Sequence, residues 1–245
     1  MLNYRLLALD LDETLLTKDK KITKASKHWI DRAKKAGIIV IFATGRGLQR
    51  VLDFRNELEL NTPMVLVNGA EVWGYADELL KRSFISRNDI YKLQQLAVEE
   101  NASYWGYNVD ALVGHRNWTE EMFHKDWLKF GIRHQDLHVM ERIRKQASRL
   151  PSIEITQSAP VNIEIAAKGI SKETGVRKVC EHLGIEMEEV MAIGDNLNDY
   201  KLMQAAGFGV AMGNGDQRLK DIADVVTDTN EQDGVAKAIE RHLFG

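Results

Sequence analysis

Five short apolar runs constrain this chain more than any other feature: residues 6–9, 38–43, 64–67, 190–193 and 208–211. Each stops at polar residues or glycine, namely Asp10, Thr44-Gly45-Arg46, Asn68-Gly69, Gly194-Asp195 and Gly213-Asn214. Apolar runs of this length without polar alternation mark strands buried on both faces of a parallel sheet. Helix-like segments lie between them, at 24–35, 47–58, 172–183, 197–206 and 232–243. Strand and helix therefore alternate, and the predicted fold class is α/β with a doubly wound parallel sheet. Such sheets bind ligands beyond the carboxyl ends of their strands. In this sequence those ends carry carboxylates, Thr44, Asn68 and glycines.

The middle of the chain breaks the pattern. It holds three of the five tryptophans (Trp105, Trp118, Trp127) and four of the seven histidines, with weaker strand signals. This reads as a separate inserted domain over 81–166, with core segments at 1–80 and 167–245. The 245 residues, 44% of them hydrophobic, are enough for both. A net charge of -3 leaves no global attraction to nucleic acid or to an anionic membrane. No apolar stretch is long enough to span a bilayer, and Cys180 is the only cysteine. A disulfide within the chain is thus excluded, and a cytoplasmic setting is expected.

Asp10 and Asp12 stand two apart where the first strand ends, so in an extended chain both side chains project to one side. Paired carboxylates raise one another's pKa unless a cation intervenes, which suits a metal site or a division of labour between nucleophile and acid. Two surface aspartates in a loop would look the same. A second cluster, Gly194-Asp195-Asn196-Leu197-Asn198-Asp199, brings further hard oxygen ligands of the kind magnesium takes, although Asn and Asp also serve as helix caps. Thr44-Gly45-Arg46 offers a hydroxyl and approachable N–H groups where a helix begins, an anion-binding arrangement. Lys172 adds a positive charge. Singly, each is compatible with an ordinary turn or a solvated charge; their occurrence together and in order is what points to a site.

Asp10-Leu11-Asp12-Glu13-Thr14-Leu15, Thr44-Gly45-Arg46, Lys172 and the 194–199 cluster together resemble the four ordered motifs of the haloacid dehalogenase superfamily. Val67-Asn68-Gly69-Ala70, Gly209-Val210-Ala211-Met212-Gly213-Asn214 and Asn230-Glu231-Gln232-Asp233-Gly234-Val235 resemble its Cof-type phosphatases. Glu13 and Glu173 depart from that pattern, which has glycine there, and Lys168-Gly169 offers a competing register for the third motif. The resemblance implies a Rossmann-like core with an inserted α+β cap of Cof type. It also implies a magnesium-dependent phosphatase acting on a small phosphorylated metabolite, a sugar phosphate or a similar ester.

By that resemblance Asp10 is the nucleophile that forms an aspartyl-phosphate, and Asp12 is the acid and then the base, with a carboxyl that exchanges its proton near neutral pH. Thr44, the backbone of Leu11 and Gly45, Lys172 and Asn198 would hold the phosphate. Mg2+ would be bound by Asp10, the backbone carbonyl of Asp12 and Asp195, with Asp199 supporting the metal from behind. Transfer to a sugar hydroxyl, as in a phosphotransferase or mutase, and non-catalytic sensing of a phosphorylated ligand are the alternative readings. His134 and His138 are one helical turn apart, a weak zinc signal without further ligands. Trp105, Tyr107, Trp118 and Trp127 could line a pocket or form the core of the inserted domain.

Overall fold

The first apolar run becomes β1 (Leu6–Leu9), fully buried, with parallel neighbours on both sides. The structure, a computed structural model, describes residues 4–245. After β1 come α1 (Lys24–Lys35), β2 (Ile39–Ala43), α2 (Leu52–Glu57), β3 (Met64–Leu66), β4 (Glu71–Trp73) and β5 (Leu79–Arg82). The chain continues through α3 (Arg87–Glu99), β6 (Ser103–Asn108), β7 (Leu112–Gly114), β8 (Trp127–Arg133), α4 (Leu137–Ala147), β9 (Ile153–Ala159) and β10 (Asn162–Ala167). It ends with α5 (Lys172–Leu183), β11 (Val190–Gly194), α6 (Tyr200–Ala205), β12 (Phe208–Ala211), α7 (Gln217–Lys220), β13 (Val225–Val226) and α8 (Gly234–Leu243).

Contacts divide the chain into two units, one running to Leu80 and resuming over Lys172–Gly245, the other being Lys81–Ser171. The larger sheet has the order β13-β12-β11-β1-β2-β3-β4-β5. From β1 it proceeds through β2 and β3 in one direction and through β11, β12 and β13 in the other. Strand order therefore reverses at β1, and the crevice beyond its carboxyl end is the topological switch point where such sheets take ligands. Leu6, Leu7 and Leu9 are completely buried here, and each contributes about 1.5–3 kcal/mol of hydrophobic stabilisation. Among the described residues, no helix is long and apolar enough to cross a membrane.

Five of the predicted core elements are shorter than the sequence suggests: those at 38–43, 197–206 and 232–243 lose residues at their ends, and two others are interrupted. The run 64–67 leaves the sheet after Leu66, because Val67 takes a left-handed backbone with φ 52°. The expected helix over 47–58 is a tight turn at Leu48–Arg50 followed by α2, with Val51 at φ -114° between the two. The return from the inserted unit also falls later than residue 167. β10 runs to Ala167 against β9, Lys168 N–H then donates to Ser152 O (2.9 Å), and its ammonium pairs with Glu154 (3.6 Å). These bonds keep residues 167–171 with the inserted unit.

That unit is a five-stranded antiparallel sheet, β7-β6-β8-β10-β9. Ile90, Leu93, Met140 and Ile143 of α3 and α4 join Tyr104, Phe130, Ile132 and Ile163 of the strands in one core. Trp127 is completely buried in this core and Trp118 stacks on it with ring centroids 4.7 Å apart, so these two indoles are packing elements. Trp105 lies directly opposite Gly131, where a Cβ would collide with its indole ring. Gly131→Ala is expected to cost about 1–3 kcal/mol by overpacking. The urea midpoint followed by tryptophan fluorescence measures this, and an unchanged midpoint would show that the indole moves aside freely.

Candidate active site

Asp10 extends β1 by one ladder position, its N–H donating to Ile193 O of β11 (3.1 Å). Its carboxylate is therefore fixed at the switch point, and the residue is only 6% exposed. Lys172 opens α5, which packs against β3. Its ammonium, completely buried, lies 2.8 Å from Asp10 Oδ1 and 2.6 Å from Asp199 Oδ1. Asp195 follows β11 directly. It accepts a hydrogen bond from Thr14 Oγ1 (3.0 Å), a contact between the first and fourth motifs.

The loop after β11 closes on itself through Asp199. Asp199 Oδ2 accepts from the N–H groups of Asp195 (3.1 Å) and Asn196 (3.2 Å). A Cβ on Gly194 would collide with the Asp199 carboxyl, so only glycine lets this carboxylate lie against the strand end. Asp199 thus uses one oxygen for the backbone and one for Lys172, which is how it supports the cluster.

Oxygens of Asp10, Asp195 and Asp199 lie within 4.8 Å of one another, all on buried residues. One lysine faces three carboxylates, and the imbalance shows in their proton affinities. Burial pushes Asp10 up to about 6; the charge of Lys172 works against this and that of Asp199 adds to it. Asp195 is raised well above the ordinary carboxylate range by burial, then by Asp10 and Asp199. Burial works to lower Lys172, but the carboxylates of Asp10 and Asp199 more than offset it and hold the ammonium charged.

Asp12, expected to share one mouth with Asp10, has its carboxylate bound by basic partners of its own. The chain turns immediately after Asp10, and Asp12 is gripped by Arg46. Arg46 Nε donates to Oδ2 and Nη2 to Oδ1, both at 2.7 Å, while Lys20 Nζ adds a bond of 2.9 Å to Oδ1. Partial burial would raise this carboxyl, but the hydrogen bonds from Arg46 and Lys20 hold it well below the usual carboxylate range. In this state Asp12 is ionised and does not exchange a proton near neutral pH. Its carboxylate is also outside the metal-competent cluster of the described residues.

The remaining predicted residues fall around these groups. Thr44, 1% exposed, continues β2, donates its N–H to Val65 O (2.9 Å) and accepts Arg46 N–H at Oγ1 (3.3 Å). Gly45 lies between them, and the Leu11 backbone hydrogen-bonds the Asp10 carboxylate. Asn198 Nδ2 donates to Asn68 Oδ1 (3.2 Å). Of the two possible registers, Lys172 is the lysine in the cluster, whereas Lys168 pairs with Glu154 in the inserted unit. His134 Nδ1 accepts the Asp136 N–H (3.0 Å), and neither His134 nor His138 belongs to any metal-competent group among the described residues. Thr14 and Asn68, to which the sequence reading gave no role, are built into the site, and Arg46, read there as part of an anion-binding turn, holds Asp12. All three stand within or beside the motifs, but only the folded chain shows their partners.

The donor set suits a hard divalent cation, since three clustered carboxylates share one ammonium and Asn198 Oδ1 is buried without any partner. A consequence for stability follows from Asp10. Between its unfolded pKa near 4 and its folded value of about 6, the native state binds more protons than the unfolded one. Its contribution therefore declines as pH rises through that window and stays lost above it. A cation reverses this by stabilising the ionised carboxylates. At 100-fold over Kd, Mg2+ should add about 2.7 kcal/mol, a Tm gain of about 5–11 °C for a chain of this size. The gain should be present at pH 7.5 and shrink towards pH 4.5. A scanning calorimetry series across this range checks it, and a pH-independent gain would place the cation elsewhere.

With this geometry in view, comparison with known proteins is decisive. The family model for haloacid dehalogenase-like hydrolases matches residues 7–139 and 116–239. This chain belongs to that family. The chain is 37% identical over 240 residues to a 5-amino-6-(5-phospho-D-ribitylamino)uracil phosphatase of Bacillus subtilis (strain 168), covering 98% of this chain and 96% of that protein. It is 32% identical over 270 residues to a pyridoxal phosphate phosphatase of Escherichia coli (strain K12), covering 98% and 99%. A solved sugar phosphatase of haloacid dehalogenase subclass IIB has the same fold, with a TM-score of 0.85 at 22% identity, covering 96% of this chain and 98% of that one. This haloacid dehalogenase-like hydrolase is thus of Cof type, and its enzyme class is that of the phosphoric monoester hydrolases.

Proposed function

We propose that the protein is a magnesium-dependent phosphatase that moves the phosphoryl group of a small phosphate ester to Asp10 and then to water. The observation that carries this reading is the buried group of Asp10, Lys172, Asp195 and Asp199 at the switch point of the parallel sheet. Asp10, Asp195 and the backbone carbonyl of Asp12 would hold the magnesium, which when bound would supply the positive charge that lets a carboxylate approach a phosphate.

Asp10 attacks phosphorus, an Asp10–phosphorus bond forms, and the bond to the leaving oxygen breaks. That oxygen takes a proton from Asp12. Water then attacks phosphorus, Asp12 receives its proton, and the bond to Asp10 breaks to release inorganic phosphate. Asp12 can do this only after Arg46 and Lys20 release its carboxylate and its proton affinity rises into the working range. Lys172, Thr44 and the N–H groups near Leu11 and Gly45 stabilise the charge on the phosphoryl oxygens, the largest demand of such transfers.

The substrate class is a small phosphate ester, a sugar phosphate or a similar metabolite. The relatives act, by name, on a phosphoribityl-aminouracil and on pyridoxal phosphate, which makes these the first two compounds to test beside hexose and pentose phosphates. The expected result is release of inorganic phosphate, with magnesium and not with EDTA, at rates differing between compounds. Phosphate appearing on an added sugar instead of in solution would assign the enzyme to phosphotransfer, and no release from any compound would refute the reading.

A further inference from the structure

Segments 209–214 and 230–235 lie outside the carboxylate cluster, yet both reach the stretch of chain that carries Asp12. Residues 11–22 form a small flap in which Leu16 bridges Asp12 on one side and Ile22 on the other. Leu16 N–H donates to Leu11 O (2.8 Å) and Thr17 N–H to Lys21 O (3.0 Å). Glu13, next to Asp12, has φ 58°, a left-handed backbone that disfavours a side chain. Such a conformation persists only where the surroundings enforce it.

Three hydrogen bonds from the two segments do so. Asn214 Nδ2 donates to Glu13 O (2.7 Å). Asn230 Nδ2 donates to Leu16 O (2.8 Å) in a buried bond, and Asn230 is only 5% exposed. Glu231 Oε1 accepts Lys18 N–H (2.7 Å). The segments are also joined to each other, Asn230 N–H donating to Asn214 Oδ1 (3.0 Å), so Asn214 uses the donor end of its amide for the flap and the acceptor end for its neighbour. All three bonds end on main-chain atoms of the flap. They fix the path of its backbone, and therefore the place of Asp12, whatever the Asp12 carboxylate itself is bound to.

We propose that Asn214, Asn230 and Glu231 are positioning residues that clamp the flap from outside the site, so that Asp12 keeps its place when Arg46 and Lys20 let its carboxylate go. The proposal rests on the phosphatase reading with Asp12 as acid and base. Arg46 and Lys20 hold the Asp12 side chain and must release it; Asn214, Asn230 and Glu231 hold the main chain and need not. A proton donor contributes only while it stays within hydrogen-bond reach of the oxygen it serves, and small displacements are costly.

The test compares ribose 5-phosphate with p-nitrophenyl phosphate at saturating Mg2+, for wild type, Asn230→Ala and Asn214→Asp. The sugar oxygen needs a proton as it leaves, whereas p-nitrophenolate leaves as a stable anion. Displacing Asp12 in Asn230→Ala should therefore lower kcat/KM about 10–100-fold for the sugar phosphate and leave it near the wild-type value for the aryl ester. Asn214→Asp still accepts the Asn230 N–H and loses only the donor to Glu13 O, so it should shift the preference the same way by a smaller factor. In an Asp12→Asn background, which removes the proton and keeps the backbone carbonyl, Asn230→Ala should cause no further loss. Hydrogen exchange needs no turnover: the Leu16 and Thr17 N–H groups should exchange about 2–10-fold faster in Asn230→Ala, the population shift of one lost hydrogen bond, with β1 unchanged.

An equal loss of kcat/KM for the two esters overturns the proposal, as does a loss in Asn230→Ala that adds in full to that of Asp12→Asn. Either would leave these residues a purely structural part. Unchanged exchange over the flap overturns it as well. Should Asn230→Ala fail to fold, Asn214→Asp, at an exposed residue, carries the same comparisons. A wild-type protein that releases phosphate from neither ester would count against the phosphatase reading alone, and the exchange measurement would still decide the clamp.

Discussion

Replacing Lys172 by methionine is expected to damage both turnover and stability, the latter by about 3–5 kcal/mol, the usual penalty for leaving a buried charge without its partner. Among the described residues, Lys172 is the one cation that pairs with Asp10 and Asp199, at 2.8 and 2.6 Å, and its side chain is completely buried. Without it the cluster keeps its carboxylates and loses the charge that makes their ionisation tolerable. The variant should regain part of its stability at low pH, where protonation removes the repulsion, and part on addition of Mg2+. Turnover should fall about 10²–10³-fold, as for other pre-organised charges aimed at a reacting oxyanion. Chemical denaturation and initial-rate measurements on the same samples separate the two effects. Wild-type stability combined with wild-type kinetics would show that this ammonium is a bystander.

Asp10→Asn is expected to have the opposite signature, with turnover lost and the fold kept. The amide oxygen can still accept from Lys172, and the group no longer has to ionise in a buried site. The loss in turnover should be about 10⁶-fold, the scale seen when a covalent nucleophile is removed from its constellation. Stability of the metal-free protein should match or exceed wild type at pH 7.5. The sign follows from the pKa of about 6: above that pH the folded wild type carries an unfavourable buried charge which asparagine lacks. Below pH 4 the wild-type carboxyl is protonated in both states, and the two proteins should converge. A variant destabilised at pH 7.5 would mean that the ionised Asp10–Lys172 pair is a net structural asset.

What the sequence discloses and what it hides divide along physical lines. Asp10, Asp195 and Lys172 are legible because they sit at strand and helix termini whose apolar periodicity is strong, and a parallel sheet brings such termini to one edge. The fold class follows from the same periodicity, and β1, β12, α1 and α5 begin and end where the pattern says they do. The direction of Asp12 is not legible, because it depends on a guanidinium 34 residues away whose approach is set by the Thr44–Arg46 turn. Thr14 and Asn68 are likewise hidden, since their contacts with Asp195 and Asn198 span 181 and 130 residues. The later return from the inserted unit is a local matter of hydrogen bonds at residues 167–168, to which hydrophobic patterning is blind.

The most direct test of the central claim is to look for the phosphoryl group on Asp10. Enzyme in excess over a turned-over ester, in Mg2+, is quenched in acid at successive times and its peptides are weighed. The account predicts a phosphoryl group on the peptide containing Asp10 that rises before inorganic phosphate and then decays into it, and that never appears in Asp10→Asn. Complete phosphate release with no modification at any quench time, or modification of a different residue, would contradict it.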